Sequence, residues 1–351
     1  MTAILTVSGH PRVSVIIPAR NEEASLGDCL KSLVAQYGLV FEIIVVDDYS
    51  TDRTREIASS FLGEQVQVIE APPLLSGWTG KNSAVAAGAK AARGQWLLFT
   101  DSDTIHLPGS LARSLEEAKH HGAALLSYSP KQIVKSFWEK AVMPVIFAEL
   151  AATFRPSQVS DPKSRAAAAN GQYLLVTREA YDAVGGHAAI AGNLLEDVAL
   201  ARAVKRSGRK IFFRFGGDAV CTRMYRTFAQ LREGWTKNLA LLFPNPLRLA
   251  AIRALEFVLI AASVAIGITA ALRGHFRPAA ATVILFVILY ALFLTRIRRA
   301  HFSWDANIGA LLGLPLFSYL LLRSARAHAN GSVSWKGRKY SDESCLLATG
   351  H

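Results

Sequence analysis

Three apolar runs in the last third of the chain constrain its fold more than any other feature: residues 254–272, 278–295 and 306–322, which hold one charged residue between them, Glu256. At 17–19 residues each, they reach roughly 25–29 Å as helices, close to the hydrocarbon thickness of a bilayer. The first two read as full membrane spans. The third is the shortest and contains Gly309, Gly313 and Pro315, so it reads as a bent, re-entrant or interfacial helix. Burial of all three in a soluble core is the alternative.

Charge follows the same division. The net charge is +12, and residues 241–351 carry 12 Lys and Arg against 4 Asp and Glu, whereas the first 240 carry 27 against 23. Cations flanking apolar helices point to anionic phospholipid as a partner. No Arg/Lys stripe interleaved with aromatics suggests a nucleic-acid groove, so no nucleic-acid partner is expected. A hydrophobic share of 51% with 19% charged residues excludes a disordered chain. The three cysteines, Cys29, Cys221 and Cys345, are scattered and lack a CxxC pair, so neither a disulfide framework nor a thiolate zinc site is expected. The opening MTAILTVSGHPR has no signal-peptide pattern. The expected arrangement is therefore a multi-pass protein of the cytoplasmic membrane: residues 1–240 facing the cytoplasm, a membrane part over 241–325, and a basic tail over 326–351. Two spans plus a re-entrant third would keep the tail cations Arg323, Arg326, Lys336, Arg338 and Lys339 inside.

Before the apolar runs, short β-branched segments alternate with amphipathic ones. VSVII (13–17), FEIIVVDD (41–48), VQVIE (66–70), WLLFTD (96–101), ALLSY (124–128), QYLLVT (172–177) and KIFFRF (210–215) read as strands. Helices are expected over 22–36, from Thr51, over 81–93 and 109–121, and from Glu196. This pattern predicts an α/β fold with a mostly parallel sheet, whose ligands bind at the carboxyl ends of the strands. The broadly apolar 133–154, interrupted by Pro144, reads either as an interfacial helix immersing Phe137, Trp138 and Phe147 or as a buried kinked one.

The residues just after the strands are acidic: Pro18-Ala-Arg-Asn-Glu22, Asp47-Asp48-Tyr-Ser-Thr-Asp52 and Asp101-Ser-Asp103. Carboxylates at strand tips suit an anionic ligand only if a divalent cation, Mg²⁺ or Mn²⁺, joins the two. Neither GxGxxG nor GxxxxGK[ST] occurs at these tips, so a metal-held diphosphate is the better reading.

In this order and spacing, PARNEE, VVDDYSTD and TDSD resemble a family 2 glycosyltransferase of GT-A (nucleotide-diphospho-sugar transferase) fold, over about residues 13–240. GWTGKNSA (77–84), NGQYLLVTREAYDAVGGH (170–187), LLEDVALA (194–201), RMYRTFAQLREGWTKN (223–238) and GSVSWKGRKY (331–340) narrow the resemblance to a membrane-associated branch containing carotenoid and hopanoid-associated glycosyltransferases. The resemblance implies a nucleotide-sugar donor bound by Pro18, Glu22, Asp48, Lys81 and Asp101, with Asp48 on the uracil. It implies the cation at Asp103 and Asp197 as general base.

Glu196, Arg226, Trp235 and Lys237 are candidates for the acceptor or the diphosphate; core packing is the alternative for Trp235, and a solvated first-turn lysine the alternative for Lys81. Because adjacent helical residues point about 100° apart, only one of Glu196 and Asp197 is expected to face the donor. REGW (232–235) departs from the QxxRW of processive synthases, which argues against polymer extension. The implied reaction is inverting transfer of a hexose, from UDP-glucose, to a carotenoid or hopanoid in the membrane. Transfer to polyprenyl phosphate, or nucleotide-sugar binding without turnover, are the alternatives.

Overall fold

The computed structural model describes residues 11–63 and 65–340; the end of the expected basic tail, with Cys345, lies outside the described residues. The described chain forms two compact units, one of residues 11–133 and 154–224, the other of 134–153 and 225–339. Residues 225–240 and 134–153, read from the sequence with the first part, thus group with the apolar helices.

The first unit runs β1 (Val13–Ala19), α1 (Leu26–Val34), β2 (Phe41–Asp47), α2 (Thr54–Ser59), β3 (Val66–Glu70), α3 (Gly80–Ala91), β4 (Trp96–Phe99), β5 (Thr104–His106), α4 (Ser110–His120), β6 (Leu125–Ser129) and β7 (Lys131–Gln132). The intervening helix α5 (Phe137–Thr153) belongs to the second unit. The first unit then resumes with α6 (Pro156–Ser160), β8 (Leu174–Thr177), α7 (Arg178–Ala183), α8 (Glu196–Arg206), β9 (Ile211–Phe215) and β10 (Val220–Thr222). Seven strands form one sheet in the order β3-β2-β1-β4-β8-β6-β9. Every pairing in it is parallel except those of β8, which runs against both neighbours.

The strand sequences account for the layers. All seven residues of β2 are buried, as expected of a central parallel strand covered on both faces. Alternate side chains serve opposite cores: Ile16, Ile44 and Val46 enter one cluster, and Val15, Ile17, Ile43 and Val45 the other. The reversed β8 has a functional consequence. Residues just before it, from Gly171, come out at the same edge as those just after β4. The helix expected from Thr51 begins instead at Thr54, with Asp52 Oδ1 accepting the Thr54 N–H at 3.0 Å.

The second unit contains α5, α9 (Phe228–Leu242), α10 (Pro246–Leu272), α11 (Phe276–Ile297), α12 (Trp304–Gly309), α13 (Gly313–Ala329) and a hairpin of β11 (Val333–Trp335) and β12 (Arg338–Tyr340). Three stretches, Pro246–Leu272, Phe276–Ala300 and Trp304–Ala329, are long and apolar enough to cross a membrane. On α10 and α11, side chains such as Leu255, Val258, Ile284 and Ile288 stand exposed, which a lipid surround tolerates and water does not. The third run is interrupted by a 3₁₀ turn at Ala310–Leu312 and is far more covered by protein.

Helix α5 lies within this unit, with Ala141 to Ile146 buried. Gly313 lets α13 meet α5 backbone to backbone, since a Cβ there would run into the Ala141 carbonyl. Phe137 and Trp138 are exposed, as the interfacial reading expected. Phe147 departs from that reading and packs edge-on against Trp235 and Phe302. A closed ring of charges joins α5 to the first two long helices. Arg253 donates to Glu149 at 3.3 Å and to Glu256 at 2.8 Å, while Arg296 donates to Glu256 at 2.7 Å and to Glu149. Glu256, the lone charge of the first apolar run, is thereby neutralised.

Candidate active site

The tips of β1 and β2 are laced together. The Asp48 N–H donates to the Ala19 carbonyl at 2.8 Å, the Glu22 N–H to Thr54 Oγ1 at 2.7 Å, and the Thr51 N–H to Asn21 Oδ1 at 2.9 Å. Within this lacing Asn21 (φ 53°) and Tyr49 (φ 55°) hold left-handed conformations. Asn tolerates that region; a tyrosine there costs roughly 1–2 kcal/mol, so the surrounding bonds enforce it. Asp48 sits between them, 6% exposed.

Behind the tips lies buried Cys29. Burial, then the carboxylates of Asp103, Asp101 and Glu22, push its thiol well above the ordinary range. These carboxylates, from the ends of β1 and β4, therefore converge on one region. Asp103 is further anchored by its carbonyl, which accepts Thr222 Oγ1 at 3.1 Å. Among the described residues, no three His, Cys, Asp or Glu side chains are grouped to hold a metal ion.

A cleft beside them is lined by Pro18, Lys81, Asp101, His187, Glu196 and Asp197, with Gly171 at its floor. Five of these six were expected from the sequence. Lys81, in the first turn of α3, bridges two carboxylates: its Nζ lies 2.7 Å from Asp101 Oδ1 and 2.7 Å from Glu196 Oε1. Burial pulls the lysine down, but the two carboxylates outweigh it and hold the ammonium well above its ordinary value. The solvated-lysine reading is thus replaced by a paired one.

Glu196 and Asp197 both line the cleft, which corrects the expectation that only one can. They open α8, and the cleft sits off the end of that helix, where two successive side chains reach it from either side. Asp197 accepts the Gly171 N–H at 2.8 Å and the Val198 N–H at 2.8 Å. Burial, then the Glu196 charge, lift its carboxyl to about 6, against the pull of Lys81 and the two N–H donors. A Cβ at Gly171 would stand 3.2 Å from Lys81 Nζ and 3.3 Å from Glu196 Oε1, so a larger residue would push on the tips of that ion pair.

The approach to α8 is fixed from α3. Fully buried Asn82 donates through Nδ2 to the carbonyls of Ile190, Ala191 and Asn193, at 3.0, 2.8 and 3.0 Å. The Thr79 N–H donates to Ala191 as well, and its hydroxyl caps α3.

The remaining candidates belong to the second unit. Trp235 is 2% exposed, its indole N–H directed at Met143 Sδ and its ring edge-on to Phe147 and Tyr225. Its faces are taken up in packing, the alternative given above. Lys237 stands over the Trp335 ring at 5.1 Å, and the exposed Arg226 donates its backbone N–H to Gln230 Oε1. Gln230 also closes a capping box with Thr227 at the start of α9, which gives that glutamine a structural use.

Two contributors escaped the sequence reading. Gly171 acts through a backbone N–H, which has no residue signature. His187, in the 3₁₀ segment Gly186–Ile190, lines the cleft as well.

The family model described as glycosyl transferase family 2 matches residues 14–182. A 4,4'-diaponeurosporenoate glycosyltransferase of Staphylococcus aureus (strain MRSA252) is 30% identical over 343 residues, covering 95% of this chain and 89% of the relative.

The chain belongs to glycosyltransferase family 2. Among solved structures, the mannosyltransferase PcManGT from Pyrobaculum calidifontis, in complex with GDP-Man and Mn²⁺, superposes with a TM-score of 0.52 at 18% identity, covering 94% of this chain and 89% of that one. The likeness places this family 2 glycosyltransferase in the GT-A fold, with three C-terminal helices able to span a membrane. Asp197 and Glu196 lie beyond the matched stretch and are part of the same cleft.

Proposed function

We propose that the enzyme transfers a hexose, with inversion, from UDP-glucose to a carotenoid- or hopanoid-type lipid in the cytoplasmic membrane, its first unit on the cytoplasmic side. The observation that carries this reading is the convergence of Asp101, Lys81, Glu196 and Asp197 on one cleft at the carboxyl edge of the sheet. Three apolar helices and the S. aureus relative, named for a carotenoid acid, support the membrane lipid acceptor. Arg298 and Arg299, just past the end of α11, support anionic phospholipid around it.

Asp48 accepts the imide N–H of the base, within the pocket shaped by Pro18 and Glu22, and Asp101 faces the ribose. Asp103 and Asp101 are hard oxygen donors that follow the same strand, β4, and both act on the Cys29 thiol. They fit Mg²⁺ or Mn²⁺, which need only one or two carboxylates when a diphosphate supplies further oxygens. Asp103 would hold the ion; bound there, it would supply charge neutralisation for the departing diphosphate.

Asp197 is ionised at neutral pH and aimed by two N–H donors, so it can take the acceptor's proton as the oxygen attacks the anomeric carbon. Lys81 holds Glu196 away from that proton and keeps Asp197 charged.

Membranes carrying the full chain, incubated with labelled nucleotide sugars, test the reading through their extracted lipids. A labelled glycolipid is expected, lost in Asp103→Ala and Asp197→Ala. Undiminished transfer by both variants would overturn it, whereas tolerance of Asp197→Asn would favour a phosphate acceptor.

A further inference from the structure

His187 is used by nothing above, yet it faces the reacting groups. It is 3% exposed, lines the cleft, and lies within electrostatic reach of Glu196 and Lys81. The ring is fixed on two sides. Phe99 meets it edge-on at 4.9 Å, and Nδ1 lies 3.0 Å from the Tyr181 hydroxyl.

That hydroxyl also accepts the backbone N–H of His187 at 3.1 Å. A phenol has one proton to give. Among the described residues Nδ1 is the one acceptor that hydroxyl meets, so it donates there, which leaves the imidazole proton on Nε2. Burial holds the ring neutral, with its pKa lowered to about 4. Nε2 makes no hydrogen bond among the described residues. The lining of the cleft therefore includes a neutral N–H donor on a ring fixed by Phe99 and Tyr181.

The charges around it indicate its ligand. Asp101, Glu196 and Asp197 contribute three carboxylates against the single ammonium of Lys81. Such an excess repels phosphate oxygens, but it suits a neutral polyol whose hydroxyls donate to carboxylates and accept from N–H groups.

We propose that His187 reads the transferred sugar, its Nε2–H donating to one hydroxyl of the hexose, with Tyr181 setting the tautomer that makes this possible. The inference rests on the proposed transfer reaction and adds the residue that selects the sugar. A site built to pair with a hydroxyl discriminates strongly against a donor lacking it.

The test uses the full chain in detergent, with UDP-glucose and its 2-, 3-, 4- and 6-deoxy analogues. The wild type should disfavour one analogue by about 100-fold in kcat/KM. His187→Asn keeps a partner for Tyr181 but places no donor at the Nε2 position. It should raise KM for UDP-glucose about 10-fold, lose the discrimination against that one analogue, and leave inhibition by UDP unchanged. His187→Gln, whose amide nitrogen reaches the Nε2 position, should restore much of the discrimination.

Retention of the wild-type analogue profile by His187→Asn would overturn the inference while leaving the transfer reaction standing. So would a wild type indifferent to all four analogues, a result that needs no variant to fold. Absence of turnover by the wild type with every nucleotide sugar would overturn both.

Discussion

The ammonium of Lys81 and the carboxylate of Asp101, 2.7 Å apart, tie the first turn of α3 to the tip of β4. Because the same ammonium also holds Glu196, one cation joins the strand edge of the cleft to the helix that presents Asp197. Its removal leaves three carboxylates facing one another. Lys81→Met should lower kcat/KM at pH 7 by about 10- to 100-fold. Loss of the ammonium also raises Asp197, so the acid limb of the pH–rate profile should move to higher pH. Lys81→Arg should not rescue fully, since a planar fork cannot reproduce two 2.7 Å contacts of a compact ammonium.

Asp197 sets the pH response of both rate and stability. With its carboxyl at about 6, kcat/KM should fall as pH drops through that value with a one-proton slope, and Asp197→Asn should cost about 10²- to 10⁴-fold. The stability effect has the opposite sign. An acid whose folded value exceeds its unfolded one favours folding below about pH 4 and loses that contribution as pH rises through about 6. Relative to the wild type, Asp197→Asn should therefore be more stable at pH 8 than at pH 4, by at most about 3 kcal/mol. Thermal scans of the detergent-solubilised chain at the two pH values check this.

Asn82 predicts a coupled loss of stability and rate. Asn82→Leu leaves the carbonyls of Ile190, Ala191 and Asn193 without their shared donor, at about 2–4 kcal/mol. Since this segment leads into α8, kcat should fall more than nucleotide affinity does. Thermal midpoints and a kcat/KM split, measured on the same preparation, separate the two effects.

The ring of Glu149, Arg253, Glu256 and Arg296 predicts non-additivity. Arg296→Met leaves Glu149 and Glu256 to share Arg253, one carboxylate in excess, and should destabilise by about 3–5 kcal/mol. The pair Glu149→Gln with Arg296→Gln should cost less than the sum of its single changes, a difference that a double-mutant cycle reads directly.

Much of this was legible in the sequence because the informative residues sit where a parallel sheet puts ligands. Asp48, Asp101, Lys81 and Asp197 could be named from strand ends and helix starts. The direction of β8 could not, since QYLLVT is buried on both faces and reads alike in either orientation. Strands of two or three residues such as β5, β7 and β10 are too short to show a period. Helix α5 misled at Phe147, where an all-round apolar sequence left the inward face unmarked and tertiary packing chose it. His187 was missed for a different reason: a lone histidine after two glycines has no pattern of its own, and its role emerges only once Tyr181 lies against it.

The charge ring also bears on how the chain is made. Glu149 leaves the ribosome long before its last partner, since Arg296 follows it by 147 positions. Until α11 emerges, that acid has Arg253 alone for a partner, and Arg253 must serve Glu256 as well. Truncation before Arg296 would therefore leave an earlier helix with a surplus acid as well as remove a later one.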